Sequence, residues 1–161
     1  MKRICFYLSL FILGLFTGFL ICRFQDNKPA DFVSMPEIPI PNYSLLKFIL
    51  VRNYTFALIL FLLNDEKAKG IIIYLASLIA GIQIFSLTLL LGLSSIAQFL
   101  GIIPHGPLEL LGFSLVSSAG YKYWGNNRFL KELLIGILLI LLAALVESTV
   151  SLYILIHLKT F

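Results

Sequence analysis

From Cys5 to Cys22 the chain runs eighteen residues, CFYLSLFILGLFTGFLIC, without a charge. A helix takes about 20 mostly apolar residues to cross a bilayer core of roughly 30 Å. Lipid offers no water to backbone N–H and C=O groups, so such a run has to be helical. Four more stretches follow the same pattern, at 45–63, 71–93, 107–124 and 133–158. Polar punctuation separates them: the segment 23–44 with four prolines, NDEKAKG at 64–70 and GNNRFLKE at 125–132. The chain is 60% apolar and 12% charged, where a soluble domain carries about 45–50% and 25%. A water-soluble domain of this size could not hide so much Leu, Ile and Phe, and disorder is excluded too. Cys5 and Cys22 share one apolar run and read as packing or lipid-facing residues, not as a disulfide pair. The expected fold is all-α: one integral membrane domain over 1–161, a polytopic helix bundle of about five transmembrane helices.

Lys2 and Arg3 before the first run mimic a signal peptide. The run is longer than the usual stretch of about 7–15 residues and no A-x-A-like site follows, so the expectation is an uncleaved signal anchor. A cytoplasmic N-terminus gathers Lys2, Arg3, Lys67, Lys69, Lys122, Arg128 and Lys131 inside and leaves Arg23, Lys28, Lys47 and Lys159 outside. The positive-inside rule favours that orientation, with the C-terminus and the loop 23–44 outside the plasma membrane. The net charge of +4 then reflects topology. No basic patch is interleaved with aromatics, and nucleic acid is not an expected partner. Tyr121, Tyr123 and Trp124 suit the headgroup layer. Gly14 and Gly18 form a GxxxG that reads either as a helix-packing face or as bare lipid-facing surface.

Ionisable groups within such runs demand a partner or a purpose, because a central charge costs about 2.5–3.5 kcal/mol on insertion scales. Arg52, Asn53, Glu109 and Glu147 stand out, with His105 close by. Arg52 lies about seven residues into its run and Glu147 about ten residues before His157, depths of roughly 10 and 15 Å below the same surface. They are placed to form an ion pair that fixes helix register. Arg52 snorkelling outward alone and a functional charge site are the other readings.

The string GIIPHGPLELLG, 101–112, reads as a helix start, with Gly106 as N-cap, Pro107 first and Glu109 third, where a carboxylate favours the positive helix end. His105 alone reads as a hydrogen-bonding loop residue. Between Leu93 and Tyr121 the only titratable groups are His105 and Glu109. That stretch is too long for one span and lacks a polar loop. A re-entrant or broken segment before Pro107 solves this and lowers both residues towards Glu147. Arg52, Asn53, His105, Glu109 and Glu147 would then line a polar cavity, serving as a proton site, a cation site or a hydrolytic centre. In the last case the catalytic candidates are His105 as acid/base and Glu109 or Glu147 activating water, in an intramembrane hydrolase or peptide ligase. No metal is expected, since zinc takes four ligands and only His157 remains. No cofactor is expected either, and no P-loop, HExxH or G-x-S-x-G occurs. Ser94, Ser95, Ser117 and Ser118 are expected to bond their own backbone or pack closely.

Pro104-His105-Gly106 followed by Glu109-Leu110 resembles the PHG-x-x-EL signature of the stage II sporulation protein M family, in its broad, non-sporulating branch. Arg52-Asn53 sits where that family has an Asn early in a span, and Gly81 where it places a glycine in the next. Leu115–Tyr121, LVSSAGY, looks like its small-residue run ending in Ala-Gly, and Ala143–Glu147 like its closing alanine-rich helix with Glu. The resemblance covers 45–158. It implies a polytopic membrane protein. Sporulation members work with cell-wall hydrolases, which gives a membrane scaffold as one reading, but those members generally lack the His-Gly and Glu present here. Short members lie beside genes for circular bacteriocins together with an ATP-binding cassette protein, and are implicated in maturation, export or immunity. The resemblance thus implies a non-catalytic subunit of a peptide export or maturation assembly. Its expected partners are the lipid bilayer, other membrane subunits, the ATP-binding cassette protein and a peptide substrate.

Overall fold

Each apolar run that the structure describes is helical, as backbone satisfaction in lipid requires. The computed structural model describes residues 2–23, 43–63, 65–90 and 100–158. The helices are α1 (Lys2–Arg23), α2 (Tyr43–Leu62), α3 (Glu66–Leu90), α4 (Gly106–Trp124), α5 (Leu130–Val146) and α6 (Leu152–Leu158). A π-helical turn, Glu147–Ser151, joins α5 to α6. No strand occurs among the described residues. Among the described residues three helical stretches are long and apolar enough to cross a membrane: Arg3–Ile21, Tyr43–Leu62 and Leu130–Ile154. The outer loop 23–44, beyond its first and last residues, and most of the segment expected to be re-entrant lie outside the described residues.

Each of the helices α1 to α5 begins before its apolar run, and two of the starts have a visible cause. Asp65 accepts the Lys67 amide on Oδ1 at 2.8 Å and the Lys69 amide on its carbonyl at 3.0 Å. It thereby caps α3 within the polar NDEKAKG, and the expected start near 71 moves back to Glu66. Helix α5 starts at Leu130, and not at 133, because Leu133 N already closes on Phe129 O at 3.0 Å.

Helix α4 lies at the centre, packed against α1, α2 and α5. Its buried residues Gly112, Phe113, Ser114, Val116, Ser117, Ser118, Ala119 and Gly120 occupy nearly every side of the helix. Small side chains let neighbouring backbones come close, which in lipid is the main source of helix association. At the α4–α5 crossing, a Cβ on Gly136 would lie 2.9 Å from Gly112 O, and one on Gly112 would lie 3.0 Å from Gly136 O. Helices α1 and α3 form the tightest pair. A Cβ on Gly18 would meet Leu78 O at 2.5 Å, and one on Gly81 would meet Leu15 O at 2.7 Å. The GxxxG of α1 is therefore a packing face, and the lipid-facing alternative falls.

Helix α2 buries Ile49, Asn53, Ala57 and Leu60, one residue per turn, so it turns a single narrow stripe inward. Phe56 packs edge-on against Phe113 with centroids 4.9 Å apart. The outward faces are apolar: Phe16, Phe48, Leu134 and Leu138 are all more than half exposed, the reverse of a soluble surface and the character that hydrocarbon would accept.

The turn from α4 to α5 is closed by backbone bonds, Asn126 N to Tyr123 O at 3.1 Å and Asn127 N to Lys122 O at 2.9 Å. Asn126 has φ 57°, a left-handed conformation that Asn adopts more readily than most residues. Trp124 Nε1 donates to Leu62 O at 3.2 Å, tying this turn to the end of α2.

Candidate functional site

The inward stripe of α2 puts Asn53 at the junction of α2, α4 and the π-turn, and its amide is only 2% exposed. A buried amide needs partners. Its Nδ2 donates to Glu109 Oε1 at 2.7 Å, and its Oδ1 accepts from Arg52 Nε at 3.0 Å. Arg52 Nη2 lies 3.8 Å from Glu109 Oε1 and 3.7 Å from Glu147 Oε2. One guanidinium thus stands between two carboxylates carried by different helices, with Asn53 bridging it to the first. Arg52 is half exposed while facing both acids. The ion-pair reading describes these contacts, and the reading in which Arg52 snorkels outward alone does not.

Glu109 arrives there because the chain breaks just before α4. Residues 103–105 form a turn, closed by His105 N on Ile102 O at 3.2 Å. Pro104 disfavours helix at Ile103. Helix α4 then starts at Gly106 with His105 in the N-cap position. The expected cap at Gly106 moves one residue back, and Pro107 becomes the second helical residue, where its missing N–H still does no harm. The carboxylate of Glu109 does not turn back to cap the helix as expected. No side-chain cap forms, and Oε1 takes Asn53 instead.

His105 Nδ1 and Ser151 Oγ share a hydrogen bond of 2.8 Å. Ser151 closes the π-turn, whose widened ring leaves backbone carbonyls that nearby hydroxyls take up. Ser148 Oγ donates to Leu145 O at 3.1 Å and Thr149 Oγ1 to the same oxygen at 2.6 Å. Glu147 and Ser151, one turn apart, reach the same region: Glu147 meets Arg52 and Ser151 meets His105. The expected uninterrupted helix 133–158 is thus a composite rod whose π-turn carries two of the polar contacts.

Arg52, Asn53, Glu109 and Glu147 form one network, while His105 bonds Ser151, on the same π-turn that carries Glu147. His105 is not hydrogen-bonded to either carboxylate among the described residues, and no group of three His, Cys, Asp or Glu side chains there stands ready to hold a metal ion. Ser151 escaped the sequence reading. Its signal is the hydroxyl-rich ESTVS at 147–151 inside an otherwise apolar stretch. Chemically, two carboxylates and one guanidinium leave an excess of negative charge when all are ionised. Burying such groups is costly compared with an apolar core.

A second polar group lies at the far end of α4. Arg3 Nε pairs with Glu66 Oε1 at 2.8 Å, and its guanidinium sits 3.2 Å from the Tyr121 ring centroid. Lys69, counted from sequence among the cytoplasmic-side charges, is wholly buried, with Nζ donating to Ser117 O at 3.1 Å. Lys122 pairs with Glu132, which also accepts from Ser118 Oγ at 3.1 Å.

No family model, curated protein or solved structure matches the chain.

Proposed function

We propose that the chain is a multi-pass protein of the bacterial plasma membrane, a bundle of five spans with a cytoplasmic N-terminus and an external C-terminus. It serves as a membrane subunit of a peptide export or maturation assembly beside an ATP-binding cassette protein. Three apolar helices support the membrane setting. The resemblance of residues 104–110 to the PHG-x-x-EL signature supports the assembly, with a circular bacteriocin as its peptide. One observation carries the reading: the signature residue Glu109 is hydrogen-bonded to a buried Asn53 and faces Arg52, so it belongs to an interhelical polar network and not to a helix cap. In this reading the network organises a polar contact surface for a partner helix or for the passing peptide. Energy comes from the partner, because segments 64–70 and 125–132 carry no nucleotide-binding motif.

Tagged protein purified from native membranes in mild detergent should retain the ATP-binding cassette protein, and Glu109→Gln should insert normally while export of the peptide falls. A stable solitary chain, with export unchanged in Glu109→Gln, would overturn the proposal. The hydrolytic alternative needs His105 to reach a carboxylate, whereas its imidazole bonds Ser151. His105→Ala is accordingly expected to leave precursor processing intact.

A further inference from the structure

The turn between α4 and α5 encloses an open recess of about 650 Å³. Arg128, Phe129, Leu130, Lys131 and Leu134 are among its lining residues, and its surface is mostly apolar with the two cations on it. The neighbouring carboxylate is already matched. Glu132 is taken by Lys122 and Ser118. Among the described residues no carboxylate pairs with Arg128 or Lys131, and both are exposed.

Below the cations the surface changes character. Leu130, Leu134 and Leu138 are 60%, 58% and 54% exposed. Four residues apart, they form one continuous stripe down α5, about 12 Å long at 1.5 Å per residue. Tyr123 and Trp124, also exposed beside the turn, are side chains suited to headgroup depth. The backbone bonds of the turn and the bond from Asn127 Nδ2 to Gly125 O at 3.0 Å hold the rim in place.

We propose that this recess seats one anionic glycerophospholipid, its phosphate between Arg128 and Lys131 and an acyl chain along Leu130, Leu134 and Leu138. Paired positive charge above an apolar stripe matches an amphiphilic anion. A free phosphate would satisfy the first half of that surface only. The inference rests on the membrane setting and is independent of the export role.

Trp124 is the chain's one tryptophan and stands on the same turn, two residues before the lining begins at Asn126, so short-range quenching reports a lipid seated there. The full chain is reconstituted in phosphatidylcholine vesicles, and brominated phosphatidylglycerol or brominated phosphatidylcholine is titrated in. The expected result is stronger quenching of Trp124 by the anionic lipid, at roughly ten-fold lower mole fraction, in line with two basic groups near an anionic headgroup. Excess inorganic phosphate should not relieve it. Arg128→Gln with Lys131→Gln should abolish the preference, whereas Arg128→Lys with Lys131→Arg should keep it and show that the fold survives. Lys67→Gln, at the neighbouring turn, should also keep it. A preference that persists without both charges, that falls equally in Lys67→Gln, or that inorganic phosphate removes would overturn the proposal.

Discussion

Asn53 shows how one side chain decides whether a polar network is tolerable. It satisfies Glu109 and holds Arg52 in place. Asn53→Leu keeps the branching and heavy-atom count but strands a carboxylate, and a loss of about 1–3 kcal/mol is expected, read as a lower midpoint in mixed-micelle unfolding. Arg52→Met alone leaves two carboxylates without their shared cation. Combining it with Glu147→Gln should recover part of the loss, a coupling that a double-mutant cycle measures directly. Lys69 has the opposite sign. It is a buried cation with one hydrogen bond to a carbonyl, so Lys69→Met is expected to be neutral or stabilising in the same unfolding measurement. The four network members were legible because an ionisable or amide side chain in an apolar run is conspicuous. The pairing of Arg52 with Glu147 was legible too, from their matching depths, whereas the bond from Asn53 to Glu109 was not. Glu109 sits where a capping carboxylate would, and only the three-dimensional approach of α2 redirects it. Lys69 stands two residues before an apolar run, and nothing local distinguishes a buried lysine there from a solvated flank.

At the level of helices, the crossings decide what can change. A methyl group at Gly136 would press on Gly112 O and Val116, so the two backbones have to part. Gly136→Ala should cost about 1–3 kcal/mol, in the range of overpacked cores. At Gly70 the added methyl meets the end of the Leu10 side chain at 3.0 Å, which can swing aside, so Gly70→Ala should cost clearly less in parallel unfolding curves. Helix existence was readable from apolar length alone. The π-turn was not, because 133–158 is apolar on every side and its periodicity carries no register. Only the hydroxyls of Ser148, Thr149 and Ser151 hint at backbone carbonyls in need of donors. The pairing of α1 with α3 was open for a similar reason: GxxxG marks a face without naming what covers it.

Across the whole molecule, the arrangement turns on α4, the helix richest in small and hydroxyl residues. Its central place was foreshadowed by LVSSAGY, although such a run also suits a helix at the rim. The proposed orientation has its own test. With Cys5 and Cys22 replaced by Ser, a single cysteine at Asn126 should resist a membrane-impermeant maleimide in intact cells, and one placed at Asp31 should react; the reverse pattern would invert the topology. At Gly112–Gly136 and at Gly120, where an added Cβ would fall on the Phe61 backbone, main chain rests on main chain. The glycines themselves bring no side chain to those points to act as a cushion. Movement in such a bundle is a matter of rigid rods pivoting together, and its tolerances are set by atoms that cannot be trimmed any further.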